Sequence, residues 1–186
     1  MKYLSTFYLC SGLTSITIGN SVTSIGRYAF EYCKGLTSVT IPQSVKKIEN
    51  GAFHYCLGLT SVIIGSGIQS IKTQAFQNCS GLTDIYCYAN NVPNTITDAF
   101  ESSYIEYATL HVPSQSVDAY KAKDPWKNFK EIVALTDDDP KPDATGINVV
   151  RNTEDNKSVI YDLNGVRQSE PKKGINIING KKVVVK

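Results

Sequence analysis

Three consecutive segments of the chain repeat one pattern with a spacing of 23 residues and no insertion. The copies are LTSITIGNSVTSIGRYAFEYCKG (13–35), LTSVTIPQSVKKIENGAFHYCLG (36–58) and LTSVIIGSGIQSIKTQAFQNCSG (59–81). A fixed period between about 20 and 50 residues is typical of stacked repeat proteins, in which each unit buries its apolar face only against its neighbours. The repeat therefore predicts a solenoid.

Each copy contains two extended pieces and one compact segment. In the first copy Ile16 and Ile18 alternate with polar residues, which indicates a strand with one buried face, and a second extended piece follows at 22–25. The next apolar positions have the spacing i, i+1 and i+4, which predicts one or two turns of inward-facing helix: Ala29, Phe30 and Cys33. A glycine such as Gly35 ends each copy, where a positive φ is favoured.

Stacking of these units predicts how the strands and the apolar side chains meet. Successive strands would pair in parallel at a spacing of about 4.8 Å. The phenylalanines at the equivalent positions would pile on one another: Phe30, Phe53 and Phe76. The predicted fold class is a β-rich α+β solenoid of parallel strands with short helical turns.

Irregular units flank the three copies. Residues 1–12 align without gaps on 24–35, so they form the back half of a repeat. We expect the chain to be either a fragment of a longer array or a mature form without its leader and cap, and an export signal is not readable from it. The fourth unit, 82–108, has Pro93 in its second extended piece and Ser103 where a cysteine is expected.

A cap, a linker and a small module complete the chain. Residues 109–135 begin with a strand, and their later apolar residues, such as Trp126, are expected to cover the open end of the stack. Residues 136–146 (TDDDPKPDATG) are acidic with two prolines and indicate a linker. Residues 147–186 contain two Asn-Gly hairpin signals and predict a small antiparallel β module: Asn164-Gly165 and Asn179-Gly180.

The repeat resembles the BspA-type, or treponemal-type, leucine-rich repeat, whose 23-residue unit contains LxxIxIPxxVxxIGxxAFxxCxxL. The segment 110–133 (LHVPSQSVDAYKAKDPWKNFKEIV) is similar to the one that closes such arrays. The resemblance implies a secreted or cell-surface protein that acts in adhesion or recognition without catalysis. The C-terminal segment YDLNGVRQSEPKKGINIINGKKVVVK resembles the short sorting-type β modules of exported proteins from gut Bacteroidetes.

The cysteines allow two interpretations. Four of the five share one repeat position: Cys10, Cys33, Cys56 and Cys79. They could form disulfides or a metal ladder, or they could be small buried side chains beside the Ala-Phe pair. Metal sites need closer ligand spacing or nearby histidines, so packing is favoured and we expect all five thiols, including Cys87, to be reduced.

Composition and motifs exclude several function classes. A net charge of +2 with 19% charged residues gives no reason to expect nucleic acid or an anionic membrane as partner. No apolar run approaches the length of a membrane span of about 18 residues. The sequence contains no catalytic constellation and no phosphate-binding glycine motif, so we predict neither an enzyme nor a cofactor.

Two further groups of polar residues are expected to be solvated and not to form a specific site. His54 follows the second phenylalanine at a variable position and is expected to be exposed. The acidic run could bind Ca²⁺ but lacks the spaced ligands of a calcium loop, so a solvated linker is favoured: Asp137, Asp138, Asp139 and Asp143. We predict no metal site.

The outward-pointing strand positions contain the candidate site. One column of equivalent positions is polar at first and then changes: Thr17, Thr40, Ile63, Tyr86 and His111. Asp84 stands two places before Tyr86, on the same face. This face is either a solvated sheet with tolerated apolar residues or a surface that binds a protein or glycan through Ile63, Tyr86, His111 and Asp84.

Two functions follow from these observations. The first is a non-enzymatic, secreted or cell-surface recognition or adhesion protein that binds a protein or glycan, such as one of a host, through the strand face. The alternative is a structural spacer or assembly element that self-associates through the open N-terminal repeat edge.

Overall fold

A computed structural model of the chain describes residues 7–142 and, beyond them, the backbone of four short strands between residues 160 and 185. The chain divides into two compact units, Met1–Ala144 and Thr145–Lys186. Several predicted features lie outside the described residues: the start of the half-repeat at 1–6, Asp143, and the turns Asn164-Gly165 and Asn179-Gly180.

The first unit is a solenoid with two parallel sheets whose strands alternate along the chain. These strands are β1 (Ser24–Ile25), β2 (Ser38–Ile41), β3 (Lys47–Ile48), β4 (Ser61–Ile64), β5 (Ser70–Ile71), β6 (Asp84–Cys87), β7 (Asn94–Thr95), β8 (Thr109–Val112) and β9 (Glu131–Ala134). The larger sheet has the order β2-β4-β6-β8-β9, and the smaller one has the order β1-β3-β5-β7. Every pairing in both sheets is parallel, which confirms the prediction of parallel strands.

The first full repeat differs from the prediction because its segment 13–18 forms no strand. Ile16 and Ile18 keep the expected alternation and are half-buried, and the Thr37 amide donates to the Thr14 carbonyl at 3.3 Å. This segment has a paired neighbour on one side only among the described residues. Regular pairing in the larger sheet therefore begins one repeat later, at β2.

In the three full repeats the compact segment is a series of tight turns, so the helix predicted there was wrong, whereas in the fourth repeat this segment contains the short 3₁₀ helix Thr97–Phe100. Tyr28 (φ 52°), Tyr32 (φ 60°) and Tyr55 (φ 57°) have left-handed backbone conformations, which a right-handed helix does not admit. Alternate amides donate to the next repeat, as Phe30 does to the Ala52 carbonyl at 2.8 Å. A helix would satisfy these amides internally and leave none for the neighbouring repeat.

The glycines that end the repeats are required by close packing and not by a positive φ. A Cβ atom on Gly58 would lie 2.5 Å from the Lys34 carbonyl oxygen of the preceding repeat. Gly35 and Gly81 stand in the same relation to Ser11 and Leu57. Any side chain here would push neighbouring repeats apart.

A ladder of stacked phenylalanine rings runs through the core, as predicted. Ring centroids lie 5.2 to 5.5 Å apart and neighbouring rings are within 10° of parallel, in the order Phe7, Phe30, Phe53, Phe76 and Phe100. Trp126 and Phe129 pack edge-on against Phe100 at 5.4 and 5.6 Å. The helix α1 (Val117–Lys121) supplies the buried Tyr120, whose ring meets Trp126 at 5.3 Å. These aromatic residues cover the C-terminal end of the stack.

In the second unit the described residues form four strands that pair in antiparallel fashion. They are β10 (Ile160–Tyr161), β11 (Arg167–Gln168), β12 (Gly174–Ile178) and β13 (Lys181–Val185). Their order is β11-β10-β12-β13, and the longest pairing joins β12 to β13.

We expect Phe53→Ala to lower the free energy of unfolding by about 3–5 kcal/mol, because the change leaves a cavity between two stacked rings. Urea denaturation followed by far-UV circular dichroism measures this loss. Tyr107→Ala is the control, since its side chain is 75% exposed and its removal should change the free energy by less than about 0.5 kcal/mol. Equal effects of the two changes would contradict the packing role of the ladder.

Candidate binding site on the strand face

Three of the four candidate residues lie on adjacent strands in exact register. Ile63 of β4 pairs with Tyr86 of β6, and Tyr86 pairs with His111 of β8. Tyr86 and His111 are half-buried, but Ile63 is only 8% exposed, contrary to the expectation of an exposed apolar residue. Ile63 is therefore a buried member of the column. The polar atoms of the site belong to Asp84, Tyr86 and His111.

Asp84, Tyr86 and His111 form one contact cluster. The Tyr86 ring and the His111 imidazole stack with centroids 4.3 Å apart and an angle of 19° between their planes. His111 Nε2 lies 3.2 Å from Asp84 Oδ1. The structure thus brings together the residues that strand alternation places on this face, since Asp84 precedes Tyr86 by two positions on β6.

A second carboxylate reaches the cluster from the segment predicted to be a linker. His111 Nδ1 lies 3.9 Å from Asp139 Oδ1, so the imidazole stands between two carboxylates. The Thr136 amide and hydroxyl donate to Asp139 Oδ2 at 2.6 and 3.1 Å. The segment keeps Asp137 and Asp138 exposed, as expected for a solvated linker, but its Asp139 is half-buried in a turn. Its Thr-x-x-Asp spacing, which resembles a capping box, was the signal that could have found the turn.

The rest of this segment is attached to Tyr88, which directly follows β6. The Tyr88 hydroxyl donates to the Pro140 carbonyl at 2.9 Å, and Lys141 Nζ lies 5.9 Å from the centre of the Tyr88 ring. Lys141 Nζ also donates to the Thr136 carbonyl at 3.1 Å. We call residues Thr136–Lys141 the strap. The strap folds back over the strand face at its Tyr88 and His111 positions.

The environment of Tyr86 keeps its phenol in the neutral form. Burial raises the pKa of Tyr86, and the carboxylates of Asp84 and Asp139 raise it further by opposing a second negative charge. The hydroxyl is therefore available as a hydrogen-bond donor at all physiological pH values.

The turn side of the solenoid holds a separate polar and aromatic group. His54 is only 14% exposed, contrary to expectation, and its Nδ1 lies 2.9 Å from Glu31 Oε1. The rings of Tyr32 and Tyr55 stack at 4.7 Å. These side chains connect neighbouring repeats and share no residue with the strand-face cluster.

A shallow depression of about 480 Å³ lies near the fourth repeat and the cap. Its lining includes three acidic residues and one exposed tyrosine: Asp98, Glu101, Glu106 and Tyr104. It contains none of the candidate residues, and acidic character alone identifies no ligand.

The three buried cysteines at the repeat position donate hydrogen bonds to carbonyls of the preceding repeat, whereas Cys10 is exposed, contrary to the expectation of burial. The thiols of Cys56 and Cys79 donate to the carbonyls of Phe30 and Phe53, each at 3.1 Å. Ser103 donates in the same way to the Phe76 carbonyl. All five cysteines are free, and in the described part of the chain no group of three His, Cys, Asp or Glu residues is placed to hold a metal ion.

The BspA-type leucine-rich repeat region, as a family model, matches residues 3–121 in six copies. The chain belongs to this family. Among solved structures, a leucine-rich cell surface protein from Faecalibacterium prausnitzii A2-165 is similar, with 25% sequence identity and a TM-score of 0.48. The match covers 66% of this chain and 32% of that one, so the BspA-type chain spans about a third of that protein's length. No curated protein matches.

The described residues of the BspA-type chain contain no helix with the length and apolar character needed to cross a membrane. The links to gut Bacteroidetes and to a sorting-type module stay predictions.

We expect one thiol to react in the folded protein and five in the denatured protein. Cys10 is exposed, whereas Cys33, Cys56, Cys79 and Cys87 are buried. A disulfide-exchange reagent at pH 8, with and without urea and without prior reduction, measures both counts. Fewer than five reactive thiols after denaturation would show that a disulfide exists.

Stability is expected to fall at alkaline pH because of the buried thiols. Burial raises the pKa of Cys56 from its ordinary 9.0 to about 12. Between these values the unfolded chain releases a proton that the folded chain keeps, so the stabilisation is complete below pH 9 and declines above it. The loss is about 1.4 kcal/mol per pH unit for each such thiol. Urea denaturation at pH 7.5, 9 and 10 measures the decline.

The matched variant for this effect is Cys56→Ser, which keeps a donor but does not titrate. It should decline less steeply between pH 9 and 10. An unchanged slope would show that other groups cause the alkaline loss.

Proposed function

We propose that this BspA-type solenoid is a non-enzymatic recognition or adhesion module, secreted or displayed on a cell surface, that binds a protein or glycan through its strand face. The observation that supports the proposal most is the cluster of Asp84, Tyr86 and His111 on adjacent parallel strands. It combines an aromatic stack with a carboxylate, which are the groups that interfaces use for shape and for hydrogen bonds.

The fold favours binding by a surface that is already formed. Tyr86 and His111 stand on strands whose backbones are held on both sides, by β4 and β9. A ligand would therefore order few protein groups, and less of the contact energy would be lost as conformational entropy. Stacked repeats commonly serve as extended interaction surfaces in this way.

The roles of the four candidate residues differ within this proposal. Tyr86 and His111 would contact the ligand, and Asp84 would orient the imidazole through the contact at 3.2 Å. Because Ile63 is nearly buried, it would stabilise the pairing of β4 with β6, the strand that carries Tyr86.

The alternative is a spacer or assembly element that self-associates through the N-terminal repeat edge. Three apolar residues of the first described turn favour it, because they are exposed side by side: Phe7, Tyr8 and Leu9. Light scattering over a range of concentrations separates the two functions. A mass that rises with concentration supports assembly, and a constant monomer mass with ligand capture supports recognition.

We expect the double change Tyr86→Ala with His111→Ala to lower ligand affinity by at least tenfold, since aromatic residues at the centre of an interface contribute most of its binding energy. The measurement is a glycan array run beside a panel of extracellular-matrix proteins, followed by titration of each hit with the full chain. Tyr107→Ala is the control, since this exposed side chain lies outside the cluster.

Unchanged binding by the double variant would contradict the strand-face site. Turnover in a glycosidase or peptidase screen that a single substitution abolishes would contradict the non-enzymatic function.

A further inference from the structure

We propose that the strap occupies the strand-face site of its own chain, and that the site is built for a peptide segment bearing a carboxylate, which competes with the strap. This inference rests on the proposed function of the strand face. It specifies the chemistry of the ligand and adds a competitor within the same chain.

The carboxylate is the first group that the site recognises. Asp139 is 14% exposed at its side chain, and its Oδ1 approaches His111 Nδ1 to 3.9 Å. The imidazole is also held by Asp84 on its other nitrogen. Each imidazole nitrogen thus faces the carboxylate oxygen of one aspartate, Asp84 on the Nε2 side and Asp139 on the Nδ1 side. The position of Asp139 is therefore suited to a negatively charged group.

The peptide backbone is the second group. The Tyr88 hydroxyl donates to the carbonyl of Pro140, the residue that follows Asp139. The acceptor is a main-chain oxygen, so a peptide of another sequence can also supply it. Lys141 then places its ammonium 5.9 Å from the centre of the Tyr88 ring, within the range of a cation–π contact. Asp139, Pro140 and Lys141 thus contact the face through a carboxylate, a main-chain carbonyl and an ammonium group, respectively.

The attachment of the strap is weak enough to be displaced. Of the six strap residues only Asp139 is half-buried, and the other five are exposed. Partly exposed ion pairs and a single surface hydrogen bond add little stability. The strap stays bound because its connection to β9 gives it a high effective concentration at the face. A separate peptide must overcome that advantage, so opening the strap should raise its affinity.

The probe is a fluorescein-labelled peptide with the sequence LTDDDPKPD, which copies residues 135–143, titrated by anisotropy against the full chain. We expect Asp139→Ala to bind this peptide at least fivefold more tightly than the unaltered chain. The matched variant is Asp137→Ala, which removes the same charge from an exposed strap residue that takes no part in the contacts above. It should bind as the unaltered chain does.

Two further affinity measurements test where the peptide binds. In the Asp139→Ala chain, His111→Ala should lower the peptide affinity at least fivefold. A peptide with alanine in place of its third aspartate should bind at least fivefold more weakly to the same chain. Thermal denaturation of each variant verifies that the solenoid is folded.

Equal peptide affinity in the unaltered, Asp137→Ala and Asp139→Ala chains would overturn the inference, as would the lack of any binding to the folded Asp139→Ala chain. That failure is distinct from failure of the proposed function. A ligand from the array that is lost with Tyr86→Ala and His111→Ala, without peptide binding, leaves the recognition site standing and removes only its peptide chemistry and the competing strap.

Discussion

Backbone hydrogen bonds between neighbouring repeats are the constraint on which the rest of the solenoid depends. Where the chain enters a strand of the larger sheet, a later repeat donates to the earlier one, as Thr60 does to the Thr37 carbonyl at 2.9 Å. On the turn side the direction reverses, and Phe53 donates to the Ala75 carbonyl of the following repeat at 2.8 Å. Each repeat therefore presents donors and acceptors to both neighbours. Since buried amides must be paired, the repeats have to keep one length and one register.

The constant spacing of these bonds along the solenoid explains why small side chains that can donate a hydrogen bond recur beside the phenylalanine ladder. The thiol of Cys56 donates across the repeat boundary to the Phe30 carbonyl, and the Cys33 amide donates to that same carbonyl at 3.2 Å. A hydroxyl serves equally at Ser103, whose oxygen also accepts from the Cys79 amide at 2.9 Å. The position thus selects for a small donor, which explains why serine replaces cysteine there without loss of the stack.

The register of the strands could be predicted from the period, because equal spacing places Ile63, Tyr86 and His111 opposite one another. The conformation of the turns could not, because the spacing of Ala29 and Phe30 is the same in a helix and in a chain of left-handed turns. Tyr28 and Tyr32 adopt those turns although tyrosine has no intrinsic preference for them. Pairing with the next repeat selects the conformation, and a single repeat read alone does not contain that information.

The strap lay beyond prediction for a different reason: it belongs to no repeat. Its sequence is polar, contains Pro140 and is followed by Pro142, which is typical of a linker. Its contacts depend on the side chains at the last two positions of the strand column. Where an earlier repeat carries Thr40, the later ones carry Tyr86 and His111, so the C-terminal part of the face offers an aromatic ring and an imidazole beside Asp139. The regular repeats provide the hydrogen-bonded strands of the face, and the irregular ones provide its aromatic, imidazole and carboxylate side chains. Recognition would therefore be concentrated where the repeat pattern is least regular.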